Sequence, residues 1–211
     1  MLSVNTNVSS MQAQHNLSKT NDNLGTTLNR LSTGMRINSA RDDAAGLAVT
    51  TKLSSQISGL NVAMRNANDG ISMAQVAEGA LGESTAILQR MRDLAVQASN
   101  GTTADGGTEK LAMQDENTAL IAELDRISST TSFGDVKLLD GTFGSKNIQV
   151  GANGGEVIAL AISDMDSTAL TVDTNDLSTQ AGATAALATI DAALTSVTSE
   201  RGAIGAVSNR L

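Results

Sequence analysis

The chain holds a single histidine, His15, and no cysteine. Without a second imidazole or any thiolate, the common ligand sets for zinc are missing, and so is a thiol nucleophile. Asp164, Asp166, Asp173 and Asp176 bring carboxylate oxygens close together in sequence. Their spacing is not that of an EF-hand loop, and in a Ser/Thr-rich stretch such acids read as turn formers. Gly151 to Gly155 lies between short apolar runs rather than ahead of a helix, so it reads as a turn and not as a phosphate cradle. No nucleophile elbow or dinucleotide fingerprint is present. These residues lead to an expectation of no catalytic group, no cofactor and no metal.

Two groupings are candidates for contacts instead. Arg36, Arg41, Asp42 and Asp43 sit in a short connector and could form an ionic cluster between subunits. Helix capping and the helix dipole account for the two acids equally well. Arg90 and Leu94 stand one helical turn apart, the spacing of a contact anchor pair. By spacing alone they read as ordinary helix surface or helix–helix interface.

The elements that must position these residues are long helices. From Asp42 to Ser99, apolar or small residues recur at steps of four and three: Leu53, Ile57, Leu60, Met64, Ala67, Ile71, Ala74. The spacing resumes at Leu81, Leu88 and Ala95, with Glu78, Thr85 and Arg92 interrupting, and a second stripe runs through Ile87, Met91, Leu94 and Ala98. A repeat averaging about 3.5 residues keeps one seam facing a partner helix over many turns. At about 1.5 Å of rise per residue such a helix reaches roughly 80 Å, too long to wrap a compact core. Ser39-Ala40-Arg41-Asp42 predicts a capping-box start, and Asn100-Gly101 a left-handed stop. Gly46, Gly59, Gly70, Gly79 and Gly82 each cost on the order of 1 kcal/mol inside a helix, so they read as close helix–helix contacts.

A first helix is expected over 5–32, with Leu17, Leu24, Leu28 and Leu31 on one face and Thr33-Gly34 as its stop. Its polar early part is marginal alone in water and needs a partner to order it. A third helix is expected at about 108–129, with Met113, Leu120, Leu124 and Ile127 on one face and antiparallel to the long one. The period then shortens. Val136 to Leu139, Ile148 to Val150, Val157 to Ile162 and the pair Leu170 and Val172 predict strands of a β-hairpin region over about 134–173. A last helix is expected over about 183–211, on Leu187, Ile190, Leu194, Val197, Ile204 and Leu211. Because no cap follows Asn209-Arg210-Leu211, it reads as a helix cut short.

Composition agrees with a mainly α, long-helix bundle or rod carrying a small β region. There are two Phe, no Trp or Tyr, and no Pro. A globular core normally uses aromatics as its large packing units, and a thin bundle does not need them. Net charge is −8 with no basic run, which argues against nucleic acid and anionic membranes as partners. No apolar run approaches a membrane span, and Met1 to Asn7 lacks the pattern of a cleavable signal peptide.

With these residues in place, the chain resembles the bacterial flagellins. Leu31-Ser32-Thr33-Gly34-Met35-Arg36-Ile37-Asn38-Ser39-Ala40-Arg41-Asp42-Asp43-Ala44-Ala45-Gly46-Leu47-Ala48 is close to that family's N-terminal signature. Asn66 to Ser72, Gln89 to Gln97, Phe133 to Asp140 and Ile148 to Asn153 extend the match, and Ala185 to Leu211 resembles the start of the family's C-terminal helix. The large outer domains of many flagellins are absent, with only about 151–182 in their place, and the family's C-terminal region continues past Leu211.

The resemblance implies a filament subunit that self-assembles by contacts between helical rods. It divides the chain into an inner-tube helix and connector, 1–41, and a rod domain, 42–211. It implies export without a cleaved signal to the outside of the cell, other flagellin subunits as partners, and an export chaperone and cap. Gln89, Arg90, Leu94 and Glu116 match family positions that contact other subunits or a vertebrate Toll-like receptor. Rival readings are a hook–filament junction protein and a secreted binding module seen by an innate immune receptor. The match from Phe133 to Asn153 favours flagellin over the junction protein.

Overall fold

A computed structural model describes residues 7–211, so the first two residues of the expected 5–32 helix lie outside the described residues. The elements in order are α1 (Val8–Thr33), α2 (Ala44–Ala98), α3 (Thr108–Thr130), β1 (Ser132–Phe133), β2 (Val136–Lys137), β3 (Gly144–Gln149), β4 (Val157–Ile162) and α4 (Gln180–Arg210). The chain divides into two compact units, Met1–Ser58 and Gly59–Leu211, with the boundary inside α2.

In the first unit, Asn7 Oδ1 accepts from Ser10 N–H and caps α1. Gly34 ends the helix at φ 67°, as the Thr33-Gly34 stop predicts. No residue of α1 is buried, and Leu17, Leu24, Leu28 and Leu31 are all more than half exposed. The start of α2 corrects the expected capping box. Asp43, not Ser39, is the cap, its Oδ1 accepting from Gly46 N–H at 2.8 Å. Asp42 turns back into the connector, where its Oδ2 accepts from Ser39 N–H (3.1 Å) and from the Ser39 hydroxyl (3.0 Å). The Ser39 hydroxyl is thus used as a donor to a carboxylate and cannot serve the helix.

In the second unit, the buried face of α2 is a strict heptad seam. Ala74, Leu81, Leu88 and Ala95 form one row, and Ala77, Ser84, Met91 and Ala98 the other. The residues expected to interrupt the stripe, Glu78, Thr85 and Arg92, each follow a member of the second row and flank the seam without breaking it. The earlier part of the expected stripe differs: Leu60 and Met64, like Leu53 and Ile57 in the first unit, are 50–62% exposed. Ala63 and Gly70, two and one heptads before Ala77, are the buried positions there.

Against this seam α4 packs with Ala183, Ile190, Val197 and Ile204 at intervals of a heptad. Thr179 caps it, the hydroxyl accepting from Gly182 N–H at 3.1 Å, so it starts three residues before the expected Ala183. The helices run antiparallel: Arg92 meets Asp191, Glu78 meets Arg201, and Gly70 meets Leu211. α3 contributes Met113 and Leu124 to the same core, with Leu120 and Ile127 partly buried against it.

The β region forms two separate two-stranded antiparallel sheets, β1–β2 and β3–β4. β1 and β2 turn through Gly134-Asp135, where Gly134 has φ 58°, the glycine-first hairpin turn. β3 and β4 pair from Gly144↔Ile162 to Gln149↔Val157, with Gly151 to Gly155 in the connecting loop as the sequence suggests. Leu170 and Val172 are not a strand. Val172 N–H donates to Ser167 O (2.9 Å) and Thr171 N–H to Thr168 O (3.0 Å), a helical turn closed in the Schellman manner with both apolar side chains buried.

Close-contact glycines are also fewer than expected. A Cβ on Gly59 would come within 3.1 Å of Ala152, and one on Gly70 within 2.6 Å of Ile148. Gly79 and Gly82 have nothing within 4 Å of that position among the described residues.

Candidate functional site

The seam of α2 leaves Gln89 and Arg90 on the outer face, immediately after buried Leu88. Glu116 projects from α3 to meet Arg90. Arg90 donates through Nε and Nη2 to Glu116 Oε1, each at 2.7 Å, with the two side chains 53% and 43% exposed. A pair this open to water holds geometry more than it adds stability, at roughly 0–1 kcal/mol. Leu94 stands elsewhere. It is 2% exposed and part of the hydrophobic core with Met91 and Ala95. The structure therefore brings Arg90 and Glu116 together at the surface, leaves Gln89 exposed beside Arg90 in the chain, and places Leu94 in the core rather than on the surface with them.

Further ion pairs fix the helices around it. Arg92 Nε donates to Asp191 Oδ1 at 2.7 Å across α2 and α4, raising the Arg92 pKa through that hydrogen bond. Arg126 holds Glu123 on α3 and lowers its carboxyl pKa in the same way. The Arg92–Asp191 link had no signature in the sequence, since its partners lie 99 residues apart.

The connector grouping is dispersed within the chain. Asp42 has a lowered pKa, first from the Ser39 hydroxyl and then from the Asn38 amide, with a smaller pull from Arg30. Arg30 Nη2 lies 3.8 Å from Asp42 Oδ1, so Arg30 and not Arg36 or Arg41 approaches it. Asp43 is occupied as the α2 cap. Arg36 and Arg41 are exposed and make no ion pair among the described residues.

The polar residues that hold the irregular segment were not singled out from the sequence. Along α3, Gln114 Oε1 accepts from Leu177 N–H, Asn117 Nδ2 donates to Asn175 O, Asp125 Oδ1 accepts from Ser167 N–H, and the Ser128 hydroxyl donates to Leu139 O. The helical spacing of 114, 117, 125 and 128 was the available signal. His15 is exposed on α1. Asp164, Asp166 and Asp176 each accept from a backbone N–H two or three residues on, which is turn chemistry. Among the described residues no group of His, Asp and Glu is arranged to hold a metal ion.

Residues 4–144 match the model of the bacterial flagellin N-terminal helical region, about two thirds of the chain. The chain belongs to the flagellin family. It is 56% identical over 169 residues to the B-type flagellin of Pseudomonas aeruginosa, covering 80% of this chain and 34% of that one. It is 56% identical over 164 residues to flagellin A of Vibrio anguillarum, covering 78% of this chain and 43% of that one. It thus spans well under half the length of these curated flagellins. Among solved structures, the Bacillus cereus flagellin crystal structure aligns with TM-score 0.62 and 32% identity over 69% of this chain and 84% of that one. A FliC structure from Burkholderia pseudomallei shares the fold at TM-score 0.59 and 23% identity, over 67% of this chain and all of that one.

Proposed function

We propose that this chain is a structural subunit of the bacterial flagellar filament, acting through contacts between its own copies and carrying no catalytic activity. The observation that carries the reading is a contrast within one family member. The seam from Ala74 to Ala98 is closed by α4, whereas the leucines of α1 and Leu53, Ile57, Leu60 and Met64 are open to solvent. Aliphatic rows of that kind need a helical partner to leave water. Residues 1–41 serve as inner-tube helix and connector and 42–211 as the rod. Arg36, Arg41, Asp42, Asp43, Gln89, Arg90 and Glu116 then provide polar contacts to neighbouring subunits. The filament lies outside the cell, reached by an export chaperone and without a cleaved signal, and grows beneath a cap.

Sedimentation followed by electron microscopy tests this reading. Sedimenting filaments of uniform width are expected, and a chain that stays monomeric under all assembly conditions overturns it. The exposed Arg90–Glu116 pair beside Gln89 favours one further reading, a surface open to an extracellular receptor of the Toll-like class. Binding of the receptor ectodomain to the chain, and its loss in Arg90→Ala, is the measurement.

A further inference from the structure

Asn-Gly steps carry a chemistry of their own. Without a Cβ, the glycine amide reaches the preceding side-chain carbonyl with little steric resistance. The chain has two such steps, Asn100-Gly101 and Asn153-Gly154. Both asparagines are exposed and neither lies within a helix or strand. A Cβ built on Gly154 meets nothing within 4 Å, so the backbone there is unobstructed.

The sites differ in what the side chain does. Asn100 uses its oxygen, Oδ1, to accept from Thr102 N–H, and a carboxylate in its place accepts equally well. Asn153 uses its amide as a donor. Nδ2 lies 2.8 Å from Glu156 Oε1, and Asn153 N–H lies 2.9 Å from Glu156 Oε2. These two bonds close the β3–β4 loop. The loop is seated on α2 by Asn66, whose Nδ2 donates to Gln149 O at 3.1 Å, and by Ala152 against Gly59. Gln149 Nε2 in turn donates to Asn153 O at 2.6 Å.

We propose that Asn153 is a site of spontaneous deamidation that works as a charge switch, releasing the β3–β4 loop from its seat on α2. In the first step Gly154 N bonds to Asn153 Cγ, the Cγ–Nδ2 bond breaks, and ammonia leaves with the glycine proton. Water then adds to either carbonyl of the cyclic imide and opens it to aspartate or isoaspartate. No oxidant or reductant is needed, and the net exchange is water in and ammonia out. In the aspartate product the carboxylate takes the place of the amide at hydrogen-bond distance from Glu156 with no proton to offer; in isoaspartate Cγ has become part of the main chain, and the Nδ2 donor is equally lost. The Asn153 side chain first holds Glu156 below its ordinary carboxyl pKa of 4.5, and at mildly alkaline pH the carboxyl stays ionised once that bond is gone. Two like charges at this distance repel where a donor and acceptor once attracted.

The test uses the full chain incubated at mildly alkaline pH, with isoaspartate methylation, peptide mass mapping and amide hydrogen exchange as readouts. The expected result is isoaspartate and the amide-to-acid mass gain at Asn153, with exchange across 149–157 accelerating severalfold in the aged material. Asn153→Asp, made directly, reproduces the faster exchange. Gly154→Ala slows the mass gain by roughly tenfold or more while leaving exchange in the fresh protein unchanged. Two outcomes overturn the proposal: Asn153 unmodified while Asn100 converts, or a modified loop that exchanges as slowly as the fresh one.

Discussion

Arg201 on α4 directs both Nε and Nη2 at one oxygen of Glu78 on α2, at 2.8 and 2.7 Å. The second oxygen, Oε2, is buried without a hydrogen-bond partner among the described residues. The pair fixes the antiparallel register of the two helices, and half of its carboxylate depends on one guanidinium. Removing only the cation leaves a partly buried charge uncompensated. Arg201→Met is expected to lower stability by about 1 kcal/mol. The double change Arg201→Met with Glu78→Leu is expected to restore most of it. Urea midpoints of the two variants decide, and a double variant no more stable than the single one refutes the account.

Thr171 is the one non-glycine residue at positive φ among those described, at 56°. It occupies the left-handed position that closes the turn between Ser167 and Val172, where a β-branched side chain is strained by about 1–3 kcal/mol. Glycine relieves that strain and returns about 0.5–1 kcal/mol of it as extra freedom in the unfolded chain. Thr171→Gly is therefore expected to stabilise by about 1 kcal/mol. A thermal midpoint that falls contradicts this.

The two halves of the α2 stripe should respond differently to the same truncation. Leu88 is fully buried between helices, so Leu88→Ala is expected to cost about 2–5 kcal/mol in the isolated chain. Leu60, half exposed, is expected to cost less than about 0.5 kcal/mol when cut to Ala. If the filament reading holds, Leu60→Ala instead weakens assembly, measured as a higher critical concentration. Equal losses of stability at both sites would remove the distinction between closed and open seam.

That distinction marks where sequence periodicity stopped being informative. The 3.5-residue repeat located α2, α3 and α4 to within a few residues, because burial along a straight helix repeats with the turn. It did not tell which of two adjacent rows faces inward. Ala63, Gly70 and Ala77 are small and carry little hydropathy signal, while the larger Ile57 and Met64 drew the stripe onto the adjacent, exposed row of Glu78. The expected strand at Leu170 and Val172 failed for a different reason. Two apolar residues one apart look like a strand, but here they flank a turn whose backbone hydrogen bonds are local. For the surface residues, Arg90 and Glu116 were joined through the family pattern alone. Leu94 lies only about 40° round the helix from Arg90, so the pair straddles the edge of the seam, with one side chain in the core and the other in solvent.

Acid should act on the junction where α4 begins. Lys110 is fully buried, and its Nζ donates to Asp105 Oδ1 at 2.6 Å, the same oxygen that accepts from Gln180 N–H at 2.9 Å. The Lys110 bond first, and the Gln180 amide second, hold the Asp105 carboxyl below its ordinary value of 3.8. A carboxyl lowered on folding contributes stability in full above its unfolded value and loses it as pH falls through the folded one. Asp105→Asn keeps an oxygen acceptor and removes the titration. Wild type is thus expected to exceed Asp105→Asn in urea midpoint at neutral pH, with the gap closing only below pH 3.8. Asp42, Asp140, Glu156 and Asp176 are lowered too, so both proteins weaken in acid together, and the difference between them isolates Asp105. Midpoint curves that stay parallel down to the lowest pH would show that Lys110 does not depend on the charge of Asp105.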